Sequence, residues 1–339
     1  MLSLAFLITF VASLAMTGII RVYLVRHHII DIPGARSSHV IPTPRGGGVS
    51  FVLICLLIIP WLCFEGFIGF RETMALWGAG FIVAVTGFID DYRSVPVRYR
   101  LCAHFLAAIW ALCWLGALPS LSVFGYSIPT LLLYPGMVLY LIWLLNLYNF
   151  MDGIDGIASV EALTILFSFC LLSLLSGDGN IALPVLLAFA VAGFLYWNFP
   201  PARIFMGDAG SGFLGIMLGI LSIQTSLQKP DLFWAWIILL GVFIVDATVT
   251  LIRRVLRKQK FYQAHRSHAY QYASRLYCSH RVVTLAVGVI NLAFLFPLAS
   301  LVVLGKLDGF MTVLLAYFPL TVLVIYYKAG APDLQGELA

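Results

Sequence analysis

Charge is what this 339-residue chain has least of: Asp, Glu, Lys and Arg together make up 10% of it, against roughly a quarter in ordinary soluble domains. With 62% hydrophobic residues and a mean hydropathy of +1.00, a soluble globular protein is excluded. Long polar stretches are missing too, which excludes a large soluble domain beside the apolar part. The six cysteines are scattered, with no Cys-x-x-Cys pair and no histidine at zinc-ligand spacing, so neither a zinc site nor a disulfide framework is indicated. No Lys or Arg precedes the first apolar run, Leu2 to Ile20, and that run is longer than the core of a signal peptide; it reads as an uncleaved first span.

What is present is a succession of apolar runs, each near the ~20 residues that a bilayer crossing needs. Because hydrocarbon cannot satisfy backbone N–H and C=O groups, the spans are expected to be helices; barrel strands would alternate polar with apolar, and these runs do not. The expectation is an all-α polytopic membrane protein of about 10–11 transmembrane helices, forming one integral membrane domain over 1–339. The runs fall near 2–20, 48–64, 74–89, 101–118, 129–147, 157–175, 181–198, 212–227, 232–252, 282–304 and 309–327. Alternate connections (21–47, 90–100, 148–156, 199–211, the basic loop 253–281 and the tail) hold seventeen of the twenty Lys and Arg, which by the positive-inside rule makes them cytoplasmic and the N-terminus external.

The same sorting puts Asp90, Asp91, Asp152, Asp155 and Asp208 on the cytoplasmic side, facing a basic loop with eight cations and no acid. Carboxylates gathered opposite cations suit a metal-bound, phosphate-bearing ligand. Asp90 and Asp91 end the third run beside Arg93, Arg98 and Arg100; as adjacent carboxylates they repel, so they suit general-base or Mg²⁺ chemistry, or else form an acidic cap paired with those arginines. Asn146, Asn149, Asp152 and Asp155 recur every third residue, one helical face as long as the chain stays helical, with Gly153 and Gly156 allowing close approach or a sharp turn. Phe205-Met206-Gly207-Asp208-Ala209-Gly210-Ser211 is a glycine-rich entry to a helix, a phosphate seat in form or simply an N-cap with Ser211. His265, Arg266 and His268 offer donors to phosphate or base oxygens, with an anionic lipid surface as the plainer reading. Arg45, in Pro44-Arg45-Gly46-Gly47-Gly48, stands by a phosphate or in a flexible turn, and Asp246 lies inside the ninth run, where it either serves function or pairs with Arg253 or Arg254.

Taken together, Gly87-Phe-Ile-Asp90-Asp91, Asn146-x-x-Asn149-x-x-Asp152-Gly-x-Asp155-Gly, Phe205-Met-Gly-Asp208-x-Gly-Ser and the His-containing last loop resemble the polyprenyl-phosphate N-acetylhexosamine-1-phosphate transferases, the WecA/MraY superfamily. The resemblance runs from about Asp31 to His268. It implies transfer of a sugar-1-phosphate from a UDP-HexNAc donor to undecaprenyl phosphate with Mg²⁺ (Mn²⁺ as a substitute), releasing UMP, at the cytoplasmic face of a bacterial inner membrane. It also implies a bilayer as the protein's surroundings, no nucleic acid partner, and compatibility with a homodimer. Carried over by motif, Asp90 and Asp91 are the catalytic carboxylates, with Asp90 deprotonating the lipid phosphate; Asp208 is the principal metal ligand, with Asn149 and Asp152 close by. Asn146 and Asp155 would shape the nucleotide pocket, Arg45, Arg100 and Gly207 would meet phosphates, and His265, Arg266 and His268 would hold the pyrophosphate or sugar. The last motif reads His265-Arg-Ser-His268 in place of adjacent histidines or His-x-His, which points away from the peptidoglycan precursor. It points towards the branch that initiates O-antigen, and so lipopolysaccharide, or other surface polysaccharide, with a UDP-GlcNAc or 6-deoxy-HexNAc donor. The competing readings are a phospho-MurNAc-pentapeptide transferase and, in a different class, an ion-coupled secondary transporter.

Overall fold

In a computed structural model, residues 2–32, 41–177, 181–227, 229–259 and 265–331 are described. The chain is a helical bundle: α1 (Leu2–Arg26), α2 (Val49–Phe64), α3 (Phe70–Tyr92), α4 (Val97–Leu115), α5 (Thr130–Met151), α6 (Ile157–Ser176), α7 (Ala182–Asn198), α8 (Asp208–Thr225), α9 (Asp231–Leu239), α10 (Gly241–Leu256), α11 (Ala269–Leu276), α12 (His280–Ile290), α13 (Phe296–Val303) and α14 (Gly309–Tyr326). Strands among the described residues amount to two two-residue ladders, Ile30–Asp31 with Thr43–Pro44 and Ser122–Val123 with Tyr126–Ser127. Six helices are long and apolar enough to cross a membrane, seven with the bent pair α9–α10 counted as one. The all-α polytopic membrane class therefore holds.

Two expected spans differ in detail. The run 232–252 is broken into α9 and α10, which bend by 68° at Leu240–Gly241, where the side of Gly241 packs on Tyr317 and Leu320. The run 282–304 contains a π-turn, Asn291–Leu295, whose Asn291 Nδ2 donates to the buried Glu161 Oε2 at 2.6 Å and to Thr164 Oγ1 at 2.9 Å. One extra residue per turn is the cost of bringing that amide round to its carboxylate. A short helix, α11, also lies inside the basic loop, where apolar periodicity gives no sign of one.

The axis of the bundle is α8, in which every residue from Ala209 to Ile223 is buried against α2, α3, α4, α5 and α9. Without a hydrophobic drive between helices in lipid, such contacts depend on small residues that let backbones close in. A Cβ on Gly87 would stand 2.6 Å from the Ala209 Cα, and one on Gly48 2.6 Å from the Gly210 Cα. Helix lengths and alternation bring the described parts of the connections that hold most of the cations to one end, where they are laced together. Arg21 Nε donates to Arg203 O at 3.3 Å, Phe205 N to Pro44 O at 2.8 Å, and Gly330 N to Ser267 O at 2.7 Å.

Candidate functional site

The start of α8 organises the site. The 43–48 segment zips onto 205–206, with Gly47 N donating to Phe205 O at 2.9 Å and Gly48 N to Met206 O at 2.8 Å, which fixes Arg45 beside Asp208. Gly207 turns the chain into the helix at φ +81°, ψ 171°, backbone space that belongs to glycine, and a Cβ there would meet Asp91 Oδ2 at 2.6 Å.

The adjacent carboxylates do different work. The Asp91 side chain is only 4% exposed; its two oxygens accept the N–H groups of Asp208 (2.9 Å) and Ala209 (3.2 Å), and Arg45 Nε stands 3.2 Å away. Asp91 thus caps α8. This corrects the expectation that the glycine-rich turn presents free N–H groups as a phosphate seat, because a carboxylate of the protein already fills it. Asp90 faces the other way: it accepts Val95 N–H at 2.7 Å, pairs with Arg100, and lies within hydrogen-bonding reach of the Asp208 carboxyl. Asp208 is held in turn by Arg45 and stands 3.8 Å from Arg100 Nη1.

Asp208 and Asn149 form a shared wall between two hollows. A cavity of about 270 Å³ is lined by Arg45, Asn149, Asp152, Asp155, Gly207 and Asp208, together with Gln271 and His280. On the opposite side a slot of about 20 Å³ holds Asp90, Arg100, His104, Asn146, Asn149 and Asp208. The three-residue spacing of the Asn/Asp motif thus places its members on both sides, because α5 ends at Met151 and the face is not continued. Asn146 Nδ2 donates to Ile142 O (2.7 Å) and reaches His104 Nδ1 (3.3 Å) in the slot, whereas Asn149 Nδ2 donates to Ser211 Oγ (3.2 Å).

Asp152 and Asp155 sit on the turn beyond α5. Burial pushes the Asp152 carboxyl well above the usual carboxylate range; Arg45 opposes this, and the charges of Asp208, Asp91 and Asp155 add to it. No hydrogen-bond donor among the described residues meets that carboxylate. Asp155 is tied down, accepting Ala202 N–H at 2.9 Å and pairing with His280 Nδ1 at 3.1 Å.

The basic loop behaves otherwise than its motif suggests. His268 is 3% exposed, stacked on His265 and Tyr270, with Nδ1 3.3 Å from Asp246 Oδ1. His265 Nδ1 faces Ser267 Oγ at 3.0 Å, and burial, with the charges of His268 and Arg254, lowers its pKa to about 3. His265, Arg266 and His268 are not among the residues lining the cavity; the loop contributes Gln271 and His280, which no spacing in the sequence singles out. Asp246 also differs from the expected pairing with Arg253 or Arg254: it accepts the N–H groups of Ala269 and Tyr270, both at 3.0 Å.

The profile of glycosyl transferase family 4 matches residues 73–226. A Bacillus subtilis protein named "Probable undecaprenyl-phosphate N-acetylglucosaminyl 1-phosphate transferase" is 28% identical over 96% of this chain and 89% of its own length. An undecaprenyl-phosphate alpha-N-acetylglucosaminyl 1-phosphate transferase of Thermotoga maritima is 25% identical over 78% of this chain and 79% of its own. A phospho-N-acetylmuramoyl-pentapeptide-transferase of Streptococcus thermophilus is 26% identical over 63% and 66%. Over these stretches the chain is similar to members of the WecA/MraY superfamily, and the matches support that relationship. The superfamily is one of polyprenyl-phosphate sugar-1-phosphate transferases, and the profile match contains Asp90, Asp91, Arg100, both asparagines, Asp152, Asp155 and Asp208. Arg45 and residues 265–284 lie outside that stretch, although Arg45 pairs with Asp208 and Thr284 with the Asp155 carbonyl inside it.

Proposed function

We propose that the protein transfers an N-acetylhexosamine-1-phosphate, of GlcNAc or 6-deoxy-HexNAc type, from a UDP-sugar to undecaprenyl phosphate and releases UMP. The reaction takes place at the cytoplasmic face of a bacterial inner membrane and initiates a surface polysaccharide such as O-antigen. The observation that carries this reading is Asp208 standing between two hollows of very different size. A pyrophosphate exchange joins two phosphates, one on a bulky polar donor and one whose nucleophilic oxygen alone must reach the reacting centre. The larger cavity suits the donor, and the slot has room for little more than one oxygen of the acceptor phosphate. Arg45 and Arg100 offset phosphate charge from either side of Asp208, and Asp90, in the slot, is the group placed to take a proton from the acceptor.

The donor set fits Mg²⁺. Asp152, Asp208 and the Asn149 amide oxygen are hard oxygen ligands, and among the described residues no donor hydrogen-bonds the Asp152 carboxylate, which the nearby Arg45 charge only partly offsets. Among the described residues no three His, Cys, Asp or Glu side chains form a ready cage, so water and phosphate oxygens would have to complete the ion's shell. When bound, it supplies charge neutralisation to the phosphates.

The test is UMP release by the purified protein in detergent, with undecaprenyl phosphate, Mg²⁺ and a panel of UDP-HexNAc donors that includes UDP-GlcNAc and 6-deoxy forms. UMP is expected only with lipid phosphate and metal both present, abolished by EDTA and by Asp208→Asn. A folded protein that releases no UMP from any donor refutes the reading.

A further inference from the structure

The turn that carries Asp152 and Asp155 is gripped from outside at both ends. At its leading end Tyr270 Oη donates to the Phe150 carbonyl at 2.9 Å, and Gly153 lies so close to the same hydroxyl that a Cβ would collide with it. At its trailing end Thr284 Oγ1 donates to the Asp155 carbonyl at 2.8 Å, and His280 Nδ1 stands 3.1 Å from Asp155 Oδ1. All of these groups come from α11 and α12. With eight residues, α11 is too short to persist on its own.

What holds it is a carboxylate inside the bundle. Asp246, on α10, is 3% exposed, a costly place for an acid unless its oxygens are met. They are: Oδ1 accepts from Ala269 N–H (3.0 Å) and Thr250 Oγ1 (3.1 Å) and faces His268 Nδ1 (3.3 Å), while Oδ2 accepts from Tyr270 N–H (3.0 Å). The Asp246 carboxylate is therefore the cap on α11, and Tyr270 runs in one residue from that cap to the carbonyl two positions before Asp152.

We propose that Asp246 is a positioning residue: through α11 and the Tyr270 hydroxyl it fixes the 150–156 turn and thereby the placement of Asp152 in the cavity. The consequence for turnover rests on the function proposed above, but the mechanical link does not. Hydrogen exchange followed by mass spectrometry on the full-length protein in detergent tests the link directly, in the wild type and in Asp246→Ala, Asp246→Asn and Tyr270→Phe. Loss of one hydrogen bond is expected to speed exchange in 150–156 roughly five- to tenfold in Asp246→Ala and Tyr270→Phe, with 209–216 of α8 unchanged. Asp246→Asn, which keeps one acceptor oxygen, falls between them and the wild type. Tyr270→Phe removes only a hydroxyl, so it stays informative if Asp246→Ala does not fold. In the UMP assay the same variants raise the apparent KM for the UDP-sugar more than that for the lipid phosphate. Unchanged exchange in 150–156 in a folded Tyr270→Phe, or loosening of α11 in Asp246→Ala without loosening of the turn, overturns the proposal. A wild type without transferase activity would strike at the reaction and leave the exchange result to decide the link.

Discussion

Asp91→Asn separates a cap from a catalyst. In the wild type both Asp91 oxygens accept backbone N–H groups at the first turn of α8, and Arg45 Nε lies against one of them. An asparagine offers one oxygen and turns an NH₂ towards the other N–H, so one donor in a nearly sealed site loses its acceptor. A hydrogen bond to a charged group is worth about 1.5–3 kcal/mol. A negative charge at a helix N-terminus adds about 0.3–1 kcal/mol, and more when partly buried. The expected loss is about 2–4 kcal/mol. Asp90→Asn is different: its amide oxygen can still accept Val95 N–H, Arg100 retains Asp208 nearby, and one of two touching carboxylates is neutralised. Its cost is expected to be smaller than that of Asp91→Asn, because the half-buried Arg100 keeps Asp208 as a partner and the repulsion between the two carboxylates is relieved. Thermal unfolding in detergent alongside UMP release reads both quantities. Both variants lose turnover, but only Asp91→Asn melts lower, by on the order of 5 °C. An Asp91→Asn protein that melts like the wild type yet is inactive would refute the cap and return Asp91 to the reacting groups.

Two further predictions follow from the same geometry. Gly207→Ala must place a Cβ against the Asp91 carboxylate and hold alanine at φ +81°, a strain of about 1–3 kcal/mol; near-complete loss of turnover with a lowered melting temperature is expected, and wild-type activity would refute the close approach. His265 titrates near 3 in the folded protein but near 6.5 once exposed, so unfolding takes up a proton between those values and stability falls as pH drops through the window. His265→Gln removes that contribution, so its melting temperature is expected to fall less than that of the wild type between pH 6.5 and 5; equal slopes would refute it.

The sequence made the class plain because the signal is local: a run of apolar residues is a span wherever it packs, and the clustering of basic residues marks which connections share an end. The joint presence of five carboxylates at that end was legible for the same reason. Their division of labour was not. Asp90 and Asp91 are neighbours in the chain, yet one points into the slot and the other caps α8, more than a hundred residues further on. The α9–α10 break and the π-turn were hidden likewise, since Gly241 and Asn291 act through Tyr317, Leu320 and Glu161, partners that periodicity cannot reveal.

The basic loop shows most clearly where local reading stops. Two histidines and an arginine within four residues look like donors waiting for a phosphate, but one of those histidines is buried against an acid on α10, and the loop reaches the cavity through Gln271 and His280 instead. A buried acid in a span is by itself ambiguous, because its charge can be met by a substrate, by a neighbouring arginine or by a helix end. Here the fold takes the third course: Asp246 accepts two N–H groups 23 and 24 residues away in the chain, although the arginines stand only about two turns along its own helix. A helix N-terminus satisfies both carboxylate oxygens at once and gives α11 a fixed start. That start is why a loop rich in cations carries an ordered helix against the turn that bears Asp152.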